Sequence, residues 1–199
     1  MSRKPNLAAR EQILTAAHGL FFARGFEGVS MDEVAGAAGI KKANLFHYYP
    51  SKEQLGLAVL DYAAGRSRTQ VQAQLQRTGC DPIERVARVF DEAAAAMRKG
   101  GCRGGCFMGN FAQEMSDQNE KLRGRLEDYF VFWAAEFSAM LERARAEGYF
   151  KPQLKPKAAA EAIIALLEGA FMFCKAKKQA GPMQTAKEMA LHFLESYRA

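Results

Sequence analysis

Apolar positions recur along this chain at spacings of three and four, the period of helices that bury one face. Over residues 8–24 the stripe is Ile13, Leu14, Ala17, Leu20 and Phe21, and Gly25 follows where a left-handed residue suits the end of a helix. Ser30-Met-Asp-Glu33 has the form of a capping box, in which a serine hydroxyl and a glutamate carboxylate satisfy each other's backbone amides. It predicts a short helix over 31–38, broken by Gly39, and a second short helix fits Lys42 to Tyr48. Pro50 ends that run, and Ser51-Lys-Glu-Gln54 opens a longer helix through Tyr62 and beyond Val71. Asp81-Pro82 is a cap followed by proline at the first helical position, and Ile83, Val86, Val89, Phe90 and Met97 continue as a stripe. Gly100, Gly101, Gly104 and Gly105 interrupt it.

Beyond those glycines the pattern predicts a short helix over 107–115 and a long one over 119–147, whose apolar face runs from Leu122 through Trp133 and Phe137 to Leu141. Gly148, Pro152 and Pro156 mark a loop, and Gly181-Pro182 separates two last helices over 157–179 and 183–198. No segment reads as a strand or as a repeat. The expected fold is all-α with about nine helices: a three-helix head over 1–55 and a helical body over 56–199.

Composition agrees with that pattern. Hydrophobic residues make up 49% of the 199 residues and only six are proline, enough apolar surface for a sizeable core in a helix-rich chain. No apolar run reaches the roughly 18 residues of a membrane span, and no signal-like apolar core follows MSRKPNLAAREQIL. The expectation is a cytoplasmic protein with no membrane partner and with Cys80, Cys102, Cys106 and Cys174 reduced. The net charge of +6 permits an acidic partner. Its local distribution is more telling, because no acid occurs between Glu33 and Glu53 while Lys41, Lys42 and Lys52 fall in that gap.

Two short helices joined by a glycine turn and preceded by a third form the helix-turn-helix arrangement, whose second helix of the pair lies in the DNA major groove. In Lys41-Lys-Ala-Asn-Leu-Phe-His-Tyr-Tyr49, Leu45 and Tyr49 are spaced to face inward, which leaves Lys41, Lys42, Asn44, His47 and Tyr48 facing outward. Asparagine suits adenine, lysine suits guanine or phosphate, and histidine or tyrosine suits phosphates or base edges. Lys52 stands at the start of the next helix, where backbone amides favour a phosphate. These six are the candidate DNA contacts on a double-stranded operator.

The run Gly25 to Leu55 resembles the N-terminal domain of the TetR family of bacterial repressors. That family shows Gly-(Ser/Thr)-Leu-Tyr-x-(His/Tyr)-Phe-x-(Ser/Asn)-Lys where this chain has Ala43-Asn-Leu-Phe-His-Tyr-Tyr-Pro-Ser-Lys52. Phe46 in place of tyrosine removes one hydroxyl contact to phosphate, and Asn44 in place of a small hydroxyl residue changes what is read there. The resemblance implies a transcriptional repressor, a homodimer built through the last two helices, and a body that takes a small-molecule inducer. Two apolar stripes fit such an interface: Ala162, Ile163, Leu166, Leu167, Ala170 and Phe171, and Met189, Ala190, Phe193, Leu194 and Tyr197.

The segment Cys102-Arg-Gly-Gly-Cys106 carries the remaining chemistry. A thiol before a short helix and near an arginine favours the thiolate, which fits Cys106 beside Arg103. Gly105-Cys-Phe-Met-Gly-Asn-Phe-Ala-Gln-Glu114 resembles a branch of the family that responds to electrophiles, oxidants or small unsaturated acids. That resemblance implies Cys106 as sensor, while Cys102 is either a resolving partner or without a role. Phe107, Asn110, Phe111, Trp133 and Phe137 are the candidates for a ligand pocket, where pliable apolar and aromatic side chains suit recognition. Purely structural cysteines are the alternative. No cofactor or metal is expected, since His18, His47 and His192 lie far from the two thiols in sequence. An enzyme with Cys106 as nucleophile lacks a base nearby in sequence, and an all-α protein-interaction module is the other rival.

Overall fold

The structure, a computed structural model, describes residues Leu7–Ala199. Among the described residues nine helices account for the fold: α1 (Leu7–Arg24), α2 (Met31–Ala37), α3 (Lys42–Tyr48), α4 (Lys52–Leu75), α5 (Pro82–Lys99), α6 (Phe107–Met115), α7 (Glu120–Ala146), α8 (Pro156–Lys177) and α9 (Gly181–Glu195). The extended pairing among them is one isolated bridge, Phe150 with Arg198. The all-α expectation holds, and each predicted element lies within a few residues of its observed place. The chain folds as two compact units: residues up to Arg66 with Phe107–Glu127, and Ser67–Cys106 with Asp128–Ala199. Helices α4 and α7 each contribute residues to both.

In the first unit α1 packs on α2 and α2 on α3. Ile13, Ala17 and Phe21 of α1, Val34 of α2, Leu45 of α3 and Leu55, Val59 and Leu60 of α4 are all buried. Helix α6 joins this core through Phe111, whose ring lies 5.2 Å from that of Phe26 and 6.2 Å from that of Phe21. Two turns are made by left-handed glycines: Gly25, at φ 81°, closes α1, and Gly39, at φ 63°, turns the chain between α2 and α3.

In the second unit α5 is the most sharply amphipathic helix. Its side chains Ile83, Val86, Val89, Phe90, Ala94 and Met97 are buried, and α9 and α8 pack against it. Asp81 caps α5 by accepting from the Glu84 amide at 2.8 Å, with Pro82 at the first position. The C-terminus is tied down by Lys151 N–H donating to the Tyr197 carbonyl at 2.8 Å and Ala199 N–H to that of Tyr149 at 3.1 Å.

The stripes assigned to the last two helices divide in the structure. Ile163, Leu167, Ala170, Ala190 and Leu194 are buried in the unit. Ala162, Leu166, Met189 and Phe193 face outward, joined by exposed Met172 and Phe173. Helix α8 is apolar nearly all round, so one side serves the core and the other remains exposed.

Candidate nucleic-acid interface

The reading pair is α2 and α3. Helix α2 starts on a complete capping box: the Ser30 hydroxyl accepts from the Glu33 amide at 3.3 Å, and the Glu33 carboxylate accepts from the Ser30 amide at 2.8 Å. Arg24 at the end of α1 donates to the same carboxylate at 2.6 Å. The Ser30 amide, followed by Arg24 and the Ser30 hydroxyl, holds the Glu33 carboxyl down to about 2. The Ile40 amide then donates to the Ala35 carbonyl at 3.0 Å, which closes the turn into α3.

Helix α3 is anchored by two residues. Leu45 is fully buried and Tyr49 almost so. The Tyr49 hydroxyl accepts from Arg10 Nε at 3.2 Å, which ties the end of α3 to α1. This anchoring turns Lys41, Lys42, Asn44 and His47 to the exposed side, with Tyr48 half-buried against His47 at a ring distance of 5.7 Å. Phe46 is also exposed, 38% by area, with the Lys42 ammonium 6.0 Å from its ring centre. It belongs to the outward face, and its spacing of four from Lys42 is the signal in the sequence that marks it.

The lysines differ in how they are held. Lys42 pairs with Asp32 of α2 at 2.7 Å, a solvated contact between exposed side chains and worth little to stability. Lys52 is drawn back toward the loop before α2: its ammonium lies 4.5 Å from the Phe26 ring centre, donates to the Glu27 carbonyl at 3.3 Å and sits 3.7 Å from the Glu27 carboxylate. It therefore braces the head as well as presenting charge. The Ser51 hydroxyl caps α4 by accepting from the Gln54 amide at 3.1 Å.

Helix α6 supplies a residue that local patterning gives no reason to single out. The Glu114 carboxylate accepts from the backbone amides of Phe26 and Glu27, both at 2.8 Å. A Cβ on Gly25 would lie 2.9 Å from Glu114 Oε2, so the loop and α6 close tightly on each other. Farther along, Asn119 and Lys121 donate to the Glu53 carboxylate at 2.8 and 2.7 Å and fix the first turn of α4.

The seven body candidates fall into two groups. Phe107 and Phe111 belong to the first unit, in a ring cluster with His18 of α1, which lies 4.4 Å from Phe107. Burial and then the Arg66 charge push the His18 imidazole below its ordinary value. Asn110 is half-buried on α6. Cys102, Cys106, Trp133 and Phe137 belong to the second unit. No disulfide joins the cysteines among the described residues. Cys102 is buried, with a left-handed φ of 52°. Trp133 stacks on Phe137 at 6.0 Å and leans on Tyr129 at 5.9 Å.

The Cys106 thiol is hydrogen-bonded to the Glu168 carboxyl, which burial pushes above its ordinary value. Burial, then the nearby Cys106, also push the Tyr129 phenol up. Sequence reasoning missed Glu168. Its signal is a single acid inside the apolar run 162–174 of α8. Among the described residues no group of three or more acids, histidines and cysteines is arranged to hold a metal ion.

A capped helix pair with an anchored, outward-charged second helix defines a helix-turn-helix regulator. Residues 13–59 match the family model for bacterial regulatory proteins of the TetR family, and residues 82–190 match that for the tetracyclin repressor-like C-terminal domain. The chain belongs to the TetR family. It is 25% identical over 183 residues to the HTH-type transcriptional repressor DhaR of Mycobacterium sp. (strain GP1), covering 92% of this chain and 89% of that one. It is 26% identical to the HTH-type transcriptional repressor NemR of Escherichia coli K12, covering 94% of each. A solved TetR transcriptional regulator from Chloroflexus aurantiacus superposes with a TM-score of 0.87 at 26% identity over 96% of each chain.

Proposed function

We propose that this chain is a dimeric, cytoplasmic, non-enzymatic repressor that holds a double-stranded operator through α3 and releases it when a small molecule acts on the body. The observation that carries the reading is the outward face of α3, set by the buried anchors Leu45 and Tyr49. Lys41, Lys42, Asn44, His47 and Tyr48 are the contacts on this reading, and Lys52 offers a phosphate the proton its Glu27 partners leave over. Similarity to DhaR and NemR, both described as repressors, supports the sign of regulation. Among the described residues no helix is long and apolar enough to cross a membrane, in keeping with a protein that reaches DNA.

Dimerisation is supported by the exposed apolar side chains on α8 and α9. Leu166, Phe173, Met189 and Phe193 stand 37–53% exposed on two helices that pack against each other, and grouped exposed apolar side chains mark interaction surfaces. Two copies would carry two reading helices to half-sites about 34–36 Å apart. The domain division on this reading is a DNA-binding head over 1–55 and a ligand-binding and dimerisation body over 56–199.

Release requires a signal that stabilises the non-binding arrangement more than the binding one. Two forms of it stand open: modification of Cys106, with Cys102 as its partner, or a non-covalent ligand near Trp133 and Phe137 in the second unit or near Phe107, Asn110 and Phe111 in the first. The Glu168 neighbour favours the non-covalent form, because a cation beside a thiol stabilises a thiolate and an acid does not. The test is binding to DNA upstream of the protein's own gene, before and after thiol alkylation, with Cys106→Ser alongside. Loss of binding in the parent alone supports the thiol route, and binding indifferent to alkylation supports the ligand route. Absence of specific binding at moderate salt would sink the regulator reading.

A further inference from the structure

Tyr49 closes α3 with a side chain that is only 3% exposed. Its hydroxyl accepts from Arg10 Nε at 3.2 Å, and the Arg10 guanidinium carbon lies 5.9 Å from the Tyr49 ring centre. Burial accounts for the ring, and Arg10 accounts for the hydroxyl.

Arg10 is held differently from Arg24, the other described arginine of the three-helix head. Arg24 is paired with Glu33 at 2.6 Å, whereas Arg10 bonds a neutral phenol. Glu11 follows Arg10 in sequence, but successive helical residues point about 100° apart, and Glu11 acts on Tyr62 of α4. Among the described residues no carboxylate forms an ion pair with Arg10. Its side chain is exposed, so the guanidinium charge is available to a partner in solvent. A guanidinium has five N–H donors, and the phenol takes the one on Nε. The two terminal nitrogens remain as a planar fork that fits a phosphate through two parallel hydrogen bonds.

The place of this fork follows from α3. Seven residues at 1.5 Å each make a helix about 10 Å long, against a major groove about 12 Å wide. A side chain bonded to the residue that ends α3 therefore stands beside the phosphates bordering the groove when α3 lies in it.

We propose that Arg10 is a DNA-backbone contact, its fork aimed by the Tyr49 hydroxyl at a phosphate beside the C-terminal end of α3. The inference rests on the repressor reading above, and neither residue is among the six contacts named there. Helix α1 supplies the charge and α3 its direction. The reading helix is then fixed to the backbone at its end as well as at its start, where Lys41 and Lys42 stand.

The full chain is titrated with two duplexes, one from upstream of its own gene and one of the same composition in scrambled order. In Arg10→Gln affinity should fall alike for both, and the slope of log affinity against log salt should flatten by about 0.9 per head. The parent-to-variant ratio for one head then shrinks about 3.5-fold between about 50 and 200 mM salt. Tyr49→Phe keeps the charge and loses its aim. It should weaken binding roughly two- to tenfold, and Arg10→Gln should cost less in that background than in the parent.

Melting curves establish that each variant is folded. An unchanged salt slope in folded Arg10→Gln would overturn the phosphate contact and leave Arg10 a brace between α1 and α3. Equal flattening in Arg98→Gln, the same charge loss on α5, would overturn it too, because the effect would then be one of net charge. Additive losses in the double variant would remove Tyr49 from the role. A parent that binds neither duplex sinks the repressor reading itself. A parent that binds specifically, with its slope kept in Arg10→Gln, sinks this inference alone.

Discussion

The contact between α6 and the loop before α2 allows a prediction with a calculable size. In Glu114→Ala two backbone amides lose a charged acceptor, those of Phe26 and Glu27, each at 2.8 Å. A hydrogen bond to a charged group contributes about 1.5–3 kcal/mol. The Glu27 amide is exposed, so water replaces most of its bond, while the Phe26 amide is partly buried and is left short of a partner. The net loss is therefore about 2 kcal/mol for alanine and about 1 kcal/mol for glutamine, which keeps a neutral acceptor. For a chain of this size the alanine variant should melt about 4–8 °C lower.

Gly25 provides an internal control on that figure. At φ 81° any other residue is strained, by about 1–2 kcal/mol, and its Cβ would also crowd Glu114. Gly25→Ala should then cost less in the Glu114→Ala background than in the parent, a coupling that a double-mutant cycle measures directly. The same loop leads into the Ser30 cap of α2, so operator affinity should fall in Glu114→Ala although the residue lies outside the reading face. A melting temperature within about 1 °C of the parent, with no coupling to Gly25, would refute the reasoning.

Other expectations concern the reading face, the interface and acid stability. Leu45→Ala removes a fully buried anchor and should cost about 2–5 kcal/mol in denaturant melts while abolishing operator binding. Lys41→Ala should weaken binding to all sequences alike and reduce the salt slope by about one, whereas Asn44→Ala should alter base preference, both read by fluorescence anisotropy over a salt series and a set of operator variants. Leu166→Glu with Phe193→Glu should convert a sedimenting dimer to a monomer, and a dimer that survives both would exclude this face as the interface. Glu33 titrates lower folded than unfolded, so the stability it brings to α2 is complete above its ordinary value of 4.5 and is lost as pH falls from there through about 2. Glu33→Gln should flatten that part of the stability curve.

The head was legible because its determinants are local. The Ser30 box spans four residues, Gly39 marks its own turn, and the burial of Leu45 and Tyr49 follows from a spacing of four on one helix. Periodicity also yielded the helices of the body, yet it could not divide a helix as apolar as α8. Ile163 and Leu166 look alike in sequence, and only the packing of α8 against α9 and α5 separates the buried one from the exposed one.

Polar partners were hidden for a different reason. Glu114 meets Phe26 across 88 positions of sequence, and Glu168 meets Cys106 across 62, so no local window contains either pair. What the sequence does carry is an anomaly: a lone acid at 168 within an apolar stretch, at a position where burial raises the free energy of its charge. Such a residue needs either a partner or a use. The Cys106 thiol is that partner, a weak donor that offsets only part of the cost of burial.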